Sequence, residues 1–333
     1  MKKIIYSISI LIIGAIITPF ITYSQNKGKT IEQQKSIEDV DLKKDFDVVA
    51  KGLIKKSKQA SIAKLSLHFK TITNGKATVG KGQNRSYSTA WAILEGVSEE
   101  AMQEIADQFY TDLNGKLEKA GLPMLGWDKV QSAKSFPKVQ DKQIDKYWDN
   151  KNEGAITVKT ANNGPHVRQV VGNIGIWKSL ASLGKDIGAN PLTIDIIIDF
   201  ARFDIDMSRR RGYYNITTKA SSNTYPEISI QAMSGAQAFN TMNSNFTMIG
   251  KYGEAGIITL KKNVNFEYEF ATELDSYNGK LPTSMKKGIS FTSNLTTGTS
   301  VIKVNEEKYK EAVLGALNRY ADLIILKLKE VRG

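Results

Sequence analysis

Leu192-Thr-Ile-Asp-Ile-Ile-Ile-Asp-Phe-Ala-Arg-Phe-Asp-Ile-Asp-Met207 is the longest extended segment that can be read in this chain. At a period of two, Ile194, Ile196, Ile198 and Phe200 fall on one side, and Ile197, Ala201, Phe203 and Ile205 on the other. A strand apolar on both sides must be covered on both, so the segment predicts the central strand of a sheet. It also carries Asp195, Asp199, Asp204 and Asp206. The period puts the first two on the opposite face from the last two, which defeats convergence on calcium. No glycine follows the Asp-x-Asp pair as in an EF-hand loop. These acids are expected to sit at strand ends, paired with Arg202 or with the run Arg209-Arg210-Arg211.

That arginine run, beside Tyr213-Tyr214, is the densest charge cluster and the candidate binding site. Guanidinium groups grip phosphate or carboxylate through paired hydrogen bonds. The competing reading is a solvated hairpin tip.

Upstream, Ser61–Thr71 alternates Ala63, Leu65, Leu67 and Phe69 with Lys64, Ser66, His68 and Lys70, which predicts a strand with one buried and one wet face. Asn74-Gly75 is a turn signal, and Ala90–Leu94 reads as a more buried strand. Ser98 then caps a helix over about 98–120, with Glu99 and Glu100 in its first turn. Met102, Ile105, Phe109, Leu113 and Leu117 form its apolar stripe, and Gly121 is its C′ residue. A second helix is expected near 128–135, closed off by Pro137. The polar stretch 138–153 marks a boundary or an insertion. A strand over 155–160, a glycine-punctuated stretch 172–188 and strands within 213–233 and 256–270 follow. Asn305 caps a final helix over about 306–331, whose stripe includes Tyr309, Val313, Leu317, Tyr320, Ile324 and Leu328. The fold class is α+β: a mixed or antiparallel sheet covered by the 98–120 helix and the carboxyl-terminal amphipathic helix.

Met1-Lys2-Lys3, the apolar run Ile4–Phe20 and the polar close Thr22-Tyr23-Ser24-Gln25 read as an export signal over 1–24, cut near Ser24. The alternative is retention as an anchor, since the run approaches the roughly 20 residues of a spanning helix. Residues 25–58 read as a polar linker and 59–333 as the α/β globular region. The chain has no cysteine, which excludes lipoprotein attachment, disulfides and thiolate metal sites. Lys plus Arg number 46 against 34 Asp plus Glu, giving +12 over 333 residues. Such a balance favours anionic partners: an anionic lipid or glycan, or an acidic envelope protein. The scattered bases, without an Arg-rich arm or stacking aromatics, point away from nucleic acid.

Familiar chemistries fail on spacing. His68 and His166 are the only histidines and lack a zinc-hydrolase pattern. Ser61-x-x-Lys64, Ser221-Ser222-Asn223 and Thr296-Thr297-Gly298 mimic a penicillin-binding enzyme, but Ser61 starts a strand and the third motif lacks its lysine. Ser284-x-x-Lys287 comes in the wrong order. Gly75-Lys76, Gly115-Lys116, Gly184-Lys185, Gly250-Lys251 and Gly279-Lys280 all lack the Ser or Thr of a Walker loop. No catalytic residue, metal or cofactor is therefore assigned.

A strand at 61–71, a long helix ending in Lys119-Ala-Gly-Leu-Pro-Met-Leu125, a short helix, long strands and a final amphipathic helix form an order that resembles periplasmic α/β envelope proteins. These are the TolB amino-terminal domain and the periplasmic domain of the curli-secretion channel. The resemblance covers most of 60–330 as element order, and the absence of cysteine departs from the lipoprotein channel. It implies an exported, periplasmic or outer-membrane-associated protein with a non-enzymatic binding or assembly role. The alternatives are an envelope hydrolase with an acid-based site and an oligomeric secretion-pore component.

Overall fold

A computed structural model describes residues 25–30, 39–80, 86–141, 146–150, 154–161, 174–211, 216–232, 244–277 and 294–333. The expected signal at 1–24 lies outside these residues, as do His166, Ser284 and Lys287. In chain order the elements are β1 (Gln25–Thr30), β2 (Phe46–Val49), α1 (Lys51–Lys56), β3 (Ala60–Val79), β4 (Ser86–Glu95), α2 (Glu99–Lys119), α3 (Trp127–Gln131), α4 (Phe136–Val139), β5 (Lys146–Asn150) and β6 (Gly154–Thr160). There follow α5 (Ile174–Ile187), β7 (Asn190–Arg211), β8 (Ile216–Ile230), β9 (Asn245–Ile249), β10 (Ala255–Leu260), β11 (Val264–Phe266), β12 (Ala271–Ser276), β13 (Asn294–Val304) and α6 (Glu306–Arg332). The strands form one mixed sheet with main path β12-β13-β4-β3-β1-β7-β9-β10-β2. Strands β6 and β5 lie beyond β3, and β8 and β11 beyond β7.

β3 and β7 are the spine. Ala60–Phe69 runs parallel to Asn190–Ile198. On one face Ile62, Leu65, Leu67, Phe69, Ile194, Ile196, Ile198 and Phe200 join the main core with α2 and α6. Each such side chain, fully buried, contributes roughly 1.5–3 kcal/mol of transfer free energy. The helices over this face begin where the sequence places them. Ser98 Oγ accepts the Ala101 N–H at 3.1 Å, and Asn305 Oδ1 accepts that of Lys308 at 3.0 Å. Glu306 reaches across to the Ser98 N–H at 2.6 Å, tying the two helix starts together. Gly121 follows α2 at φ 80°, as its C′ role requires. Lys327, on the sheet-facing side of α6, is 3 % exposed; it donates to Leu42 O at 2.6 Å and meets Glu330 at 2.6 Å.

Beyond Phe69 and Ile198 the two strands part. β3 takes β4 as its antiparallel neighbour, β7 takes β8, and the two layers pack on each other. Ser86 Oγ meets Thr218 Oγ1 at 3.2 Å, and Ser300 Oγ donates to Thr224 Oγ1 at 3.2 Å across this closure. Asn74-Gly75, expected as a turn, therefore sits inside β3, opposite Trp91 and Ala90. A Cβ at Gly75 would lie 2.6 Å from the Cβ of Phe203, so the glycine serves close approach of two layers and not a reversal.

Other expectations need correction. The second face of β3 is dry: Lys64, Ser66, His68 and Lys70 are at most 8 % exposed. On that face Ala63 packs with Val130, Phe136, Val139, Ile176, Leu180, Leu183 and Ile249, a core formed with α3, α4, α5 and β9. The helix expected near 128–135 is two short ones, α3 and α4. Pro137 falls in the first turn of α4, where its missing N–H has no intrahelical partner to lose, so it opens a helix instead of closing one. The glycine-punctuated stretch 172–188 contains α5. The presumed linker 25–58 supplies β1, β2 and α1, with Phe46 and Ile54 in the main core. Within 256–270, strand pairing ends at Phe266, while Phe270 is buried against the Tyr309 ring. Among the described residues no helix is long and apolar enough to cross a membrane.

Candidate functional site

Two polar assemblies stand out, one inside the sheet and one at its end. The parallel register sets Ser66 level with Asp195, so Lys64 and His68 flank that aspartate from two residues either side. Lys64 Nζ donates to Asp195 Oδ1 at 2.5 Å, and His68 Nε2 lies 3.1 Å from the same oxygen. The next rung is Asp199. Its Oδ2 accepts from Lys70 Nζ at 2.9 Å, Thr73 Oγ1 at 2.9 Å and Gln231 Nε2 at 2.5 Å, while Oδ1 accepts the Phe200 N–H at 2.9 Å. Asp195 is 19 % exposed at its side chain, and Asp199 is 5 % exposed. Burial pushes the Asp195 carboxyl up, but the Lys64 charge and the bond and charge of His68 outweigh it and hold the group well below the usual carboxylate range. Each buried ammonium thus has a carboxylate at contact, the condition under which buried charge is tolerated. The His68–Asp195 contact also has the form of an oriented acid–base pair. Among the described residues no group of three His, Cys, Asp or Glu converges to hold a metal.

The second assembly is an open groove of about 740 Å³ where β3 and β7 begin and β9 ends. That volume falls within the range of small-molecule sites, roughly 300–1,000 Å³. Leu53 gives it apolar surface, with Ala189 and Ile249 buried behind the lining. Ser57 Oγ donates to Asn190 Oδ1 at 2.9 Å, and Asn190 Nδ2 donates to Ile249 O at 2.8 Å, which ties the α1 exit to the β9 end. Lys56, Lys58, Lys185, Lys251 and Glu254 complete the lining, and all five are exposed. Tyr252, 74 % exposed, stands beside it with Lys251 Nζ 4.7 Å and Lys185 Nζ 6.0 Å from its ring centre. A carboxylate oxygen of Glu254 accepts the Tyr252 N–H at 2.9 Å and fixes the β9–β10 turn. Ala50, in the lining, enters α1 at φ 50° and is the one non-glycine residue with positive φ among the described residues. That conformation costs roughly 1–2 kcal/mol.

The arginine run lies at the end of β7, where it turns toward β8. Arg209 and Arg210 are paired within the sheet, to Asn26 and Gln25 of β1 and to Thr218 and Thr217 of β8. Successive strand residues point to opposite faces, so the two guanidinium stems diverge. Arg211 pairs with Ile216 at the end of the same hairpin. Among the described residues, Asp204 meets the expected Arg202, with Nη1 at 3.0 Å, whereas Asp195 and Asp199 pair with lysines of β3. The strand Ser61–Thr71 carried the signal for the seam, but alternation alone did not say that its charged face was covered. The groove was carried by Gly184-Lys185 and Gly250-Lys251, which fail as phosphate loops singly and are brought to one rim by the fold.

Comparison with protein-family models, with curated proteins and with solved structures finds no match to this chain.

Proposed function

We propose that this chain is an exported envelope protein that binds its partner and does not transform it. The observation that carries the binding role is the groove at the starts of β3 and β7, which is open, partly apolar and rimmed by exposed charge. The buried seam has the opposite character: both of its carboxylates are engaged by ammonium groups. Export is supported by the basic head and apolar run of residues 1–20, and periplasmic or outer-membrane association by the element order already described. Native mass spectrometry of the mature protein, taken from its own envelope fraction, tests the role. A stoichiometric adduct is expected. A chain that is bare in every preparation and captures nothing from the fraction sinks the proposal.

One observation favours a second reading. The 3.1 Å His68–Asp195 contact is the geometry of an acid–base pair, as a hydrolase would use. An Asp195→Asn variant that keeps its fold and loses turnover in a hydrolase screen would establish it; a screen silent for the wild type would remove it.

A further inference from the structure

We infer that the groove binds a phosphate-bearing ligand, a class that the general binding role, on which this inference rests, does not specify. Four ammonium groups, those of Lys56, Lys58, Lys185 and Lys251, line it against the single carboxylate of Glu254. None of the four forms an ion pair among the described residues.

Helix dipoles offer the simplest competing account, because α1 and α5 both end here and cations favour helix carboxyl ends. They explain two lysines at most. Lys56 and Lys185 lie in the last turns, whereas Lys58 follows α1 and Lys251 lies in the β9–β10 turn. The end of α1 is moreover already satisfied: Arg332 Nη1 donates to Ser57 O at 2.7 Å and Ile54 O at 3.4 Å. The end of α5 is closed by the Ala189 N–H on Gly184 O at 3.1 Å. The charge at the rim therefore exceeds what the fold requires.

Its chemistry also fits a phosphate. The described lining supplies its positive charge as lysines. An ammonium binds phosphate as a compact point charge, and several of them converging from different directions suit a multiply charged oxyanion. The partly exposed Leu53 in the lining offers contact to an apolar portion attached to the phosphate. An anionic phospholipid headgroup and a soluble phosphoester share this chemistry.

The test uses the full mature chain and its Lys185→Glu/Lys251→Glu double variant. Both positions are exposed, so the variant should unfold with the wild type in a thermal melt. Inorganic pyrophosphate, citrate and phosphatidylglycerol vesicles are titrated calorimetrically, each at two NaCl concentrations. Pyrophosphate or vesicles should bind saturably, more weakly at high salt, and on the order of tenfold more weakly to the double variant. Binding of vesicles alone identifies a lipid headgroup, and binding of pyrophosphate alone a soluble phosphoester. Citrate binding as tightly as pyrophosphate, or phosphate binding untouched by the double reversal, overturns the inference. A neutral adduct in native spectra that survives the reversal overturns the phosphate chemistry and leaves the binding role standing. A bare chain that takes none of the probes overturns both.

Discussion

Lysine does opposite work within β3 and around its start. In the seam, Lys64 and Lys70 have side chains 8 % and 10 % exposed, and each lies against an aspartate of β7. Around the start of the strand, the lysines of the groove are exposed and line an open volume. Desolvating an ammonium costs several kcal/mol unless a carboxylate is at hand. The buried lysines are therefore fixed to partners and hold β3 and β7 in register. The exposed ones stay hydrated, with charge left over for something that arrives. A slip of one residue between the strands would carry Asp195 to the apolar face and strand both charges.

The largest effect should come from breaking a seam pair on one side. Asp199→Ala leaves Lys70, Thr73 and Gln231 without their shared acceptor, and should cost about 3–5 kcal/mol in urea unfolding. Adding Lys70→Met should recover most of that loss, because the uncompensated charge goes with it. If the single and double variants are equally unstable, the seam acts through packing and not through charge. Next in size is acid sensitivity. Asp195 has its carboxyl depressed in the folded state, so its contribution is complete above the unfolded value near pH 4 and is lost as pH falls below that toward the folded value. Wild-type stability should fall more steeply than that of Asp195→Asn between pH 5 and pH 2; parallel curves would contradict the assignment. The smallest effect belongs to the groove. Lys185→Ala and Lys251→Ala should each shift stability by no more than about 0.5 kcal/mol, since neither is buried or ion-paired among the described residues. A larger shift would make these lysines part of the scaffold and blunt the contrast with the seam.

Much of this architecture is written in local pattern. The both-sided apolarity of Leu192–Met207 announced a central strand, and the stripe and caps of Glu99–Lys119 and Glu306–Arg332 announced two covering helices. The failures share one cause, which is that burial is decided by partners far along the chain. Lys64, His68 and Lys70 alternate as a wet face should, and only the aspartates some 130 residues later make their burial tolerable. Asn74-Gly75 has turn chemistry, yet Phe203 uses the missing side chain for close packing. The groove lysines are scattered in sequence because the site is assembled from α1, α5 and the β9–β10 turn. No local spacing rule could have found it.

Arg332 has a consequence in time as well as in space. Its guanidinium fastens the end of α6 to Ser57 and Ile54 at the close of α1 and to Gly121 beyond α2, across separations of 275, 278 and 211 residues. The spine itself joins segments about 130 residues apart. Chains dominated by such distant pairings fold slowly, because loops must close before contacts reward them. The last turn of α6 thus joins the amino-terminal elements that shape the groove to the carboxyl-terminal end of the described fold. A chain threaded through a membrane before folding, as the export reading requires, would be kept pliable for that passage by the same delay.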